Sequence, residues 1–332
     1  MNPTDLSLLA QSRTICASTE FKTALLAWCP QLHGKINAGD LSTTIHSNDQ
    51  MFTHSLHQHQ DAGAAQSQYF NISLQQFSAM QQIQQHLFGN NHDDTSVVDF
   101  ACGYGRLLRF LSLAMPHGKL FASELQADAL VFVAHEFGVT GLPSHADPEQ
   151  FQPARKFDFI WVASLFSHLP ESLFDAWLAR LIDVLTPNGL LCFSVRDSSL
   201  LAGNTHMPES GIVYETRSEN ADLDTDIYGT AYASETFVAQ SLRRALGHEQ
   251  QYFRLRKALA QEQICTSSRK ILRAIFPDCA TSVVVRQVGS MCERFHHPVN
   301  CVCRAGPDRS TTALWTASRL LSTGYCIVVR SM

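Results

Sequence analysis

Two carboxylates flank a turn of small residues, and their types and spacing are the clearest chemical signal in the chain. Asp99 ends an apolar run and opens the turn Ala101-Cys102-Gly103-Tyr104-Gly105. Glu124 ends the next apolar run, KLFASE, roughly 20 residues beyond the turn, where a carboxylate can take both hydroxyls of a ribose. Small residues let the backbone touch a ligand. The segment that follows, with Leu107, Leu108, Phe110 and Leu111, offers free N–H groups where its helix starts. A nucleoside-bearing ligand is the economical reading. The spacing is D-x-A-x-G-x-G, not the G-x-G-x-x-G that admits a pyrophosphate. An acidic residue at the mouth of the turn repels a diphosphate and suits a ligand that carries a cation.

The elements that must hold these residues are strand, tight turn and helix, repeated. Strand-like runs fall at 96–100, 118–123, 157–163 and 189–195. Helical patterns lie between them; over 171–186, Phe174, Trp177, Leu178, Leu181, Ile182 and Leu185 form one apolar stripe behind Pro170. The alternation predicts an α/β fold: a Rossmann-like, doubly wound, mostly parallel sheet with helices on both faces. An N-terminal helical lead-in precedes it, with Ile72, Phe77, Met80, Ile83 and Leu87 spaced for a helix that ends near Gly89. The His- and Gln-rich piece HSLHQHQDAGAAQSQ reads as loop. YASETFVAQSLRRALG reads as a helix with Ser234 as N-cap and Gly247 closing it. The expected organisation is an N-terminal extension over 1–65, a ligand-binding domain over 66–250 with an insert at about 197–235, and a C-terminal segment over 251–332. Within that last segment, 281–288 and 325–331 are candidates for the final strands of the sheet.

Bulk properties narrow the partners. At 332 residues, 45% hydrophobic and a mean hydropathy of −0.07, the chain has ample core for one α/β domain with additions. No apolar stretch reaches the roughly 18–20 residues that span a bilayer. The N-terminus lacks a basic segment leading into an apolar one, so a secretory signal is not expected. A net charge of −5 without a basic tract argues against nucleic acid as the main partner. Ten scattered cysteines suit free thiols in a reducing cytoplasm. Two clusters invite a metal reading: His54, His57 and His59, and the tail set Cys292, His296, His297, Cys301 and Cys303. Neither has the paired C-x2-C knuckles of a strong zinc motif, and the expectation is no metal.

At the turn the chain resembles the class I S-adenosylmethionine-dependent methyltransferases, whose first motif is an acidic residue followed by G-x-G-x-G. The resemblance continues through FDFIWVASLFSHLP (157–170) and LFDAWLARLIDVLTPNGLLCFSV (173–195), similar to that family's fourth strand, next helix, turn and fifth strand. Upstream, SNDQMF (47–52) and QYFNISLQQFSAMQQI (68–83) are similar to the lead-in of a bacterial branch that acts on small molecules. It covers about 45–235. The family implies S-adenosylmethionine as cofactor and a small-molecule methyl acceptor. Residue by residue it places Asp99 near the methionine ammonium, Ala101, Gly103 and Gly105 along the cofactor, and Glu124 on the ribose hydroxyls. Asp147, or His145 in the other register, falls where an adenine contact is expected, and Ser164 and Leu165 beside the transferred methyl. The departures are Ala101 for glycine, which resists a positive φ, and Glu124 for the commoner aspartate.

Methyl transfer asks mainly for positioning and exclusion of water; a base is needed only for a hydroxyl or protonated amine acceptor. His168, just past the fourth strand, is the candidate base, set against a structural hydrogen bond. Tyr228 and Tyr232 would pack on a substrate or in the core, and Arg106 would pair with a carboxylate or touch the ligand. The acidic insert favours a neutral or cationic acceptor. Two other readings stay open: a non-catalytic relative that only binds the cofactor, and an NAD-dependent oxidoreductase with the same topology.

Overall fold

The computed structural model describes residues 3–89, 94–116, 118–201, 205–218, 223–248, 252–256 and 324–330. The chain divides into two units, 1–260 with 323–332 and 261–322, and every described residue lies in the first. The candidate strand at 281–288 and the tail Cys/His cluster lie outside the described residues.

Strands β1 (Val97–Phe100), β2 (Leu120–Glu124), β3 (Thr140–Pro143), β4 (Phe157–Val162) and β5 (Leu185–Asp197) pair in parallel in the order β3-β2-β1-β4-β5. Helices α5 (Leu108–Ala114), α6 (Ala127–Phe137) and α7 (Glu171–Asp183) make the crossovers. Side chains alternate across each strand, so Val97 joins the core on one face and Val98 and Phe100 the core on the other. The stripe foreseen on α7 buries Phe174, Trp177, Leu178 and Leu181 in the second core.

Four helices precede the sheet: α1 (Pro3–Ala17), α2 (Thr19–Ala27), α3 (Gln50–His59) and α4 (Ala62–Phe88). The loop expected over the His- and Gln-rich piece is wrong. Asp49 caps α3 by accepting from the Phe52 N–H at 3.0 Å, and Asp61 caps α4 by accepting from the Ala64 N–H at 2.7 Å. These helices share the first core with β1 and α5: Leu9, Phe52, Tyr69, Phe70 and Phe77 pack with Val97 and Phe110.

Two departures involve the sheet's far side. The insert is partly sheet, because β6 (Ile212–Glu215) and β7 (Thr230–Ala233) form an antiparallel hairpin and β7 extends the carboxyl end of β5 through Arg196↔Tyr232 and Asp197↔Ala233. Helix α8 (Glu235–Leu246) follows as expected, with the Ser234 hydroxyl accepting from the Phe237 N–H and Gly247 at φ 74°. Of the segment 325–331, residues 325–330 lie in a strand and 331 is outside the described residues. β9 (Gly324–Arg330) runs antiparallel between β5 and β8 (Tyr252–Arg256), so among the described residues its strand partners are 190–196 and 252–256.

Candidate functional site

The strand order reverses between β1 and β4, and a ligand crevice is expected outside the carboxyl ends of the strands at such a point. A cavity of about 180 Å³ opens there. Its floor is the turn after β1: Asp99, Ala101, Cys102, Gly103 and Tyr104 all line it, as does Glu124 at the end of β2.

The two carboxylates are held differently. Glu124 is 9% exposed and accepts three backbone N–H groups, from Gly103 at 2.8 Å, Leu125 at 2.7 Å and Gln126 at 3.1 Å. It thereby fixes the turn after β1 to the end of β2, although burial still raises its pKa. Asp99 is 4% exposed and, among the described residues, accepts no side-chain hydrogen bond. Burial pushes its carboxyl up to about 8; nearby Arg106 pulls it back and Glu124 adds to the rise. Asp99 is thus a buried carboxyl at the cavity that takes no hydrogen bond from a side chain among the described residues.

Backbone strain gathers at this cavity. Four non-glycine residues have positive φ, and two of them, Ala101 (56°) and Ser164 (72°), line it. Each such conformation costs on the order of 1–3 kcal/mol and persists where the surroundings over-determine it. Ser164 is fixed by its N–H, which donates to the Ser194 hydroxyl at 2.9 Å. Leu165 lines the cavity beside it.

Three expected site residues sit elsewhere. Gly105 does not line the cavity; a Cβ there would meet the Phe137 ring at 2.4 Å, so this glycine lets α6 close on the turn. Asp147 turns away and caps the next 3-10 turn through the Glu149 N–H at 3.0 Å, while His145 and Ala146 line the cavity in its stead. His168 is 1% exposed and lies outside the lining. Its Nδ1–H donates to the Gly229 carbonyl at 2.7 Å, the Gly229 N–H donates back to its carbonyl at 2.9 Å, and its ring stacks on Tyr228 at 4.5 Å. Those contacts fasten the insert and are the structural hydrogen bond that the sequence set against a base at His168.

Apart from Tyr228, which the sequence reading set against a substrate or in the core, the residues it missed come from the N-terminal helices and the insert. Asp49, Gln50, Met51, Tyr69 and Gln76 form one wall. Behind it, the fully buried Arg109 donates to the Tyr69 hydroxyl at 3.4 Å, and that hydroxyl donates to Asp49 at 2.6 Å. Arg109 also donates to the Ser42 and Thr44 carbonyls and lies over the Tyr69, Phe70 and Phe137 rings. From the insert, Leu223, Ile227 and Tyr228 face the cavity, whereas the acid Asp224 spends an oxygen on the Asp226 N–H. The insert therefore presents an apolar surface inward. Signals for the first wall were present in the N-cap acids Asp49 and Asp61. Tyr232 does not line the cavity. Among the described residues no group of three metal-binding side chains occurs, and His57 of the histidine cluster pairs with Asp5 at 3.1 Å.

A parallel sheet with a crevice at its reversal, a turn fixed by one acid and a second acid left for a cation define a nucleoside-binding α/β protein of Rossmann-like type. Residues 97–189 match the methyltransferase domain family. Over 135 residues it is 26% identical to a malonyl-[acyl-carrier protein] O-methyltransferase of Calditerrivibrio nitroreducens, a match that takes in 41% of this chain and 51% of that protein. The chain thus spans about half the length of that relative. Among solved structures it is similar to the plantazolicin methyltransferase BamL (11% identity, 95% of this chain and 98% of that one, TM-score 0.47). It is also similar to an S-adenosylmethionine-dependent methyltransferase of Clostridium acetobutylicum (13% identity, 55% and 87%, TM-score 0.37). No helix among the described residues is long and apolar enough to cross a membrane.

Proposed function

We propose that this protein transfers the methyl group of S-adenosylmethionine to an oxygen, nitrogen or carbon nucleophile on a small molecule. The observation that carries this reading is Asp99: a buried carboxylate at the switch point, facing the cavity and lacking a hydrogen-bond donor among the described residues. An α-ammonium is the group it suits, and a diphosphate is the group it repels. S-adenosylmethionine supplies a methyl on a positively charged sulfur, ready for displacement with a neutral thioether leaving.

The chain's own residues do the positioning. Gly103 admits the ligand to the turn, and Glu124 keeps one lone pair, on Oε2, for a ribose hydroxyl beyond the three given to the backbone. Ser144, His145 and Ala146 edge the cavity where the adenine would lie, and Ser164 and Leu165 border the reacting end. The acceptor enters between the α3–α4 wall and the apolar side of the insert, which together exclude water. That surface favours a neutral acceptor with an apolar face. Cytoplasmic location is part of this reading.

Calorimetric titration with S-adenosylmethionine, S-adenosylhomocysteine and NADH tests it. Micromolar binding of the two adenosyl ligands with none of NADH is expected. NADH binding in their place overturns it in favour of an oxidoreductase, and adenosyl binding without turnover across a broad acceptor panel overturns the catalytic half. Oxygen acceptors come first in that panel, since the sequence relative is an O-methyltransferase.

A further inference from the structure

Two aspartates cap the helices of the α3–α4 wall, and they are held in opposite ways. Asp61, at the start of α4, is exposed and spends one oxygen on the Ala64 N–H at 2.7 Å. Asp49, at the start of α3, is 3% exposed, lines the cavity and has both oxygens engaged. Its Oδ1 accepts from the Phe52 N–H at 3.0 Å, and its Oδ2 accepts from the Tyr69 hydroxyl at 2.6 Å. Capping alone does not ask for a carboxylate here. Ser18 and Ser234 cap α2 and α8 with a hydroxyl, and a buried charge is costly unless it is paired. The pairing comes from behind. Tyr69 is fully buried, and the buried Arg109 donates to its hydroxyl at 3.4 Å. Arg106 lies over the Tyr69 ring, 5.8 Å from the centroid, and makes no ion pair among the described residues. A carboxylate has four lone-pair sites, so one on each Asp49 oxygen is not taken by a donor among the described residues.

We infer that Asp49 receives the nucleophilic hydroxyl of the acceptor and takes its proton, with Tyr69 as the residue that positions it. This rests on the methyltransferase reading and deepens it, with a neutral alcohol as the substrate class. The acceptor oxygen forms its bond to the methyl carbon as the carbon–sulfur bond breaks. The electron pair of the broken bond stays on sulfur in the thioether. The hydroxyl proton passes to an open lone pair of Asp49 and from there to water. The charges around Asp49 select a hydroxyl. Arg109, through Tyr69, offsets the carboxylate, and Leu223 and Ile227 face the cavity from the insert. The wall thus offers a base with little net charge in an apolar setting. An ammonium would find its counter-charge already engaged, and a carboxylate would meet Asp49 as a like charge.

The test joins turnover to calorimetry on the full chain, with benzyl and octyl alcohols, the matching amines, and benzoate and octanoate. Release of S-adenosylhomocysteine from S-adenosylmethionine should be seen with the alcohols ahead of the amines and carboxylates. Asp49→Ser keeps the cap and removes the base. Its kcat on the alcohols should fall about 100-fold or more, while S-adenosylhomocysteine affinity stays within about twofold. Tyr69→Phe should lose about tenfold in kcat with little change in KM. Thiophenolate, a like charge with no proton to give, should turn over slowly and lose nothing in either variant. In the S-adenosylhomocysteine complex, benzoate should bind Asp49→Ser about fivefold more tightly than wild type, the like charge being gone. Should Asp49→Ser fail to fold by circular dichroism, Tyr69→Phe and the wild-type order of acceptors decide. Amines or carboxylates ahead of the alcohols, no turnover of either alcohol, or equal losses on thiophenolate overturn the inference. Loss of S-adenosylhomocysteine affinity in both folded variants does the same by moving Asp49 to the cofactor. Wild-type protein that does not bind S-adenosylhomocysteine overturns the methyltransferase reading itself.

Discussion

The two halves of the cavity are built on opposite principles. The floor comes from one short stretch of chain: Asp99, Ala101 and Gly103 lie within five residues, and Glu124 reaches back to the Gly103 N–H at 2.8 Å. The opposite wall is gathered from far apart, with Asp49 and Tyr69 from the N-terminal helices facing Leu223 and Tyr228 from the insert. Their supports differ in kind as well. Backbone N–H groups and left-handed residues hold the floor; a buried cation, Arg109, and a histidine stacked on a tyrosine hold the wall. A local floor has little freedom to change, whereas a wall of separate elements can change shape without disturbing the turn. This division suits a protein with a fixed cofactor and an acceptor peculiar to itself.

Breaking the floor should have the largest effect. Asp99→Asn should weaken S-adenosylhomocysteine at least about 100-fold by removing a buried charge partner, with the far-UV circular dichroism unchanged. The raised carboxyl sets the pH dependence. Burial pushes the Asp99 carboxyl up to about 8, so below that pH a cationic ligand must displace its proton. Affinity should then fall as pH drops from 8 to 6, by up to about tenfold per unit, and the slope should vanish in Asp99→Asn. In the empty protein the same shift, upward from 3.8, means that the stability this group contributes is full below about pH 4 and lost as pH rises through 8.

Next comes the support of the wall. Arg109→Ala should destabilise by about 2–4 kcal/mol, since it removes a fully buried side chain along with its contacts to three rings. Chemical denaturation would show this, and methylthioadenosine affinity at temperatures where the variant is folded should stay within a few-fold. His168→Ala should cost about 1–2 kcal/mol from the lost hydrogen bond to Gly229 and the stacking on Tyr228. It should raise acceptor KM and leave the shape of the pH–rate profile unchanged; a titration lost from that profile would restore His168 as a base. The smallest effect is a gain. Ala101→Gly should stabilise by about 0.5–1 kcal/mol by releasing a positive φ, read as a higher melting temperature with cofactor binding retained.

The same division governs what was legible in the sequence. Strands β1, β2 and β4, with the carboxylates Asp99 and Glu124 of the first two, show in the chain because each is an apolar run followed by a turn. Helix α8 shows because Ser234 and Gly247 are a matched pair of caps. The wall is legible only in part: the later half of α4 shows in its apolar spacing up to Gly89, and the stretch before it is quiet for a physical reason. The α3–α4 region is rich in histidine and glutamine, and its buried face includes Gln66, Ser73 and Gln76, so its hydrophobic period is diluted although its N-caps are intact. The hairpin β6–β7 escapes notice because each strand is four residues long. At Gly105 and Asp147 the residue type suggested a ligand, while the neighbours that decide the matter, Phe137 and the Glu149 N–H, come into play only in three dimensions.

The placement of β9 governs the order of events at birth. A strand drawn from residues 324–330 sits between β5 and β8, and its Cys326 lies against Cys192, 134 positions earlier. As the chain emerges from the ribosome, β1 to β5 can pair as they appear, yet among the described residues the side of β5 that β9 covers gains that partner only once residues 324–330 have been made. An exposed strand edge invites pairing with other chains, and closure across so long a separation is slow. Nascent chains of this protein therefore carry that open edge until β9 arrives to cover it.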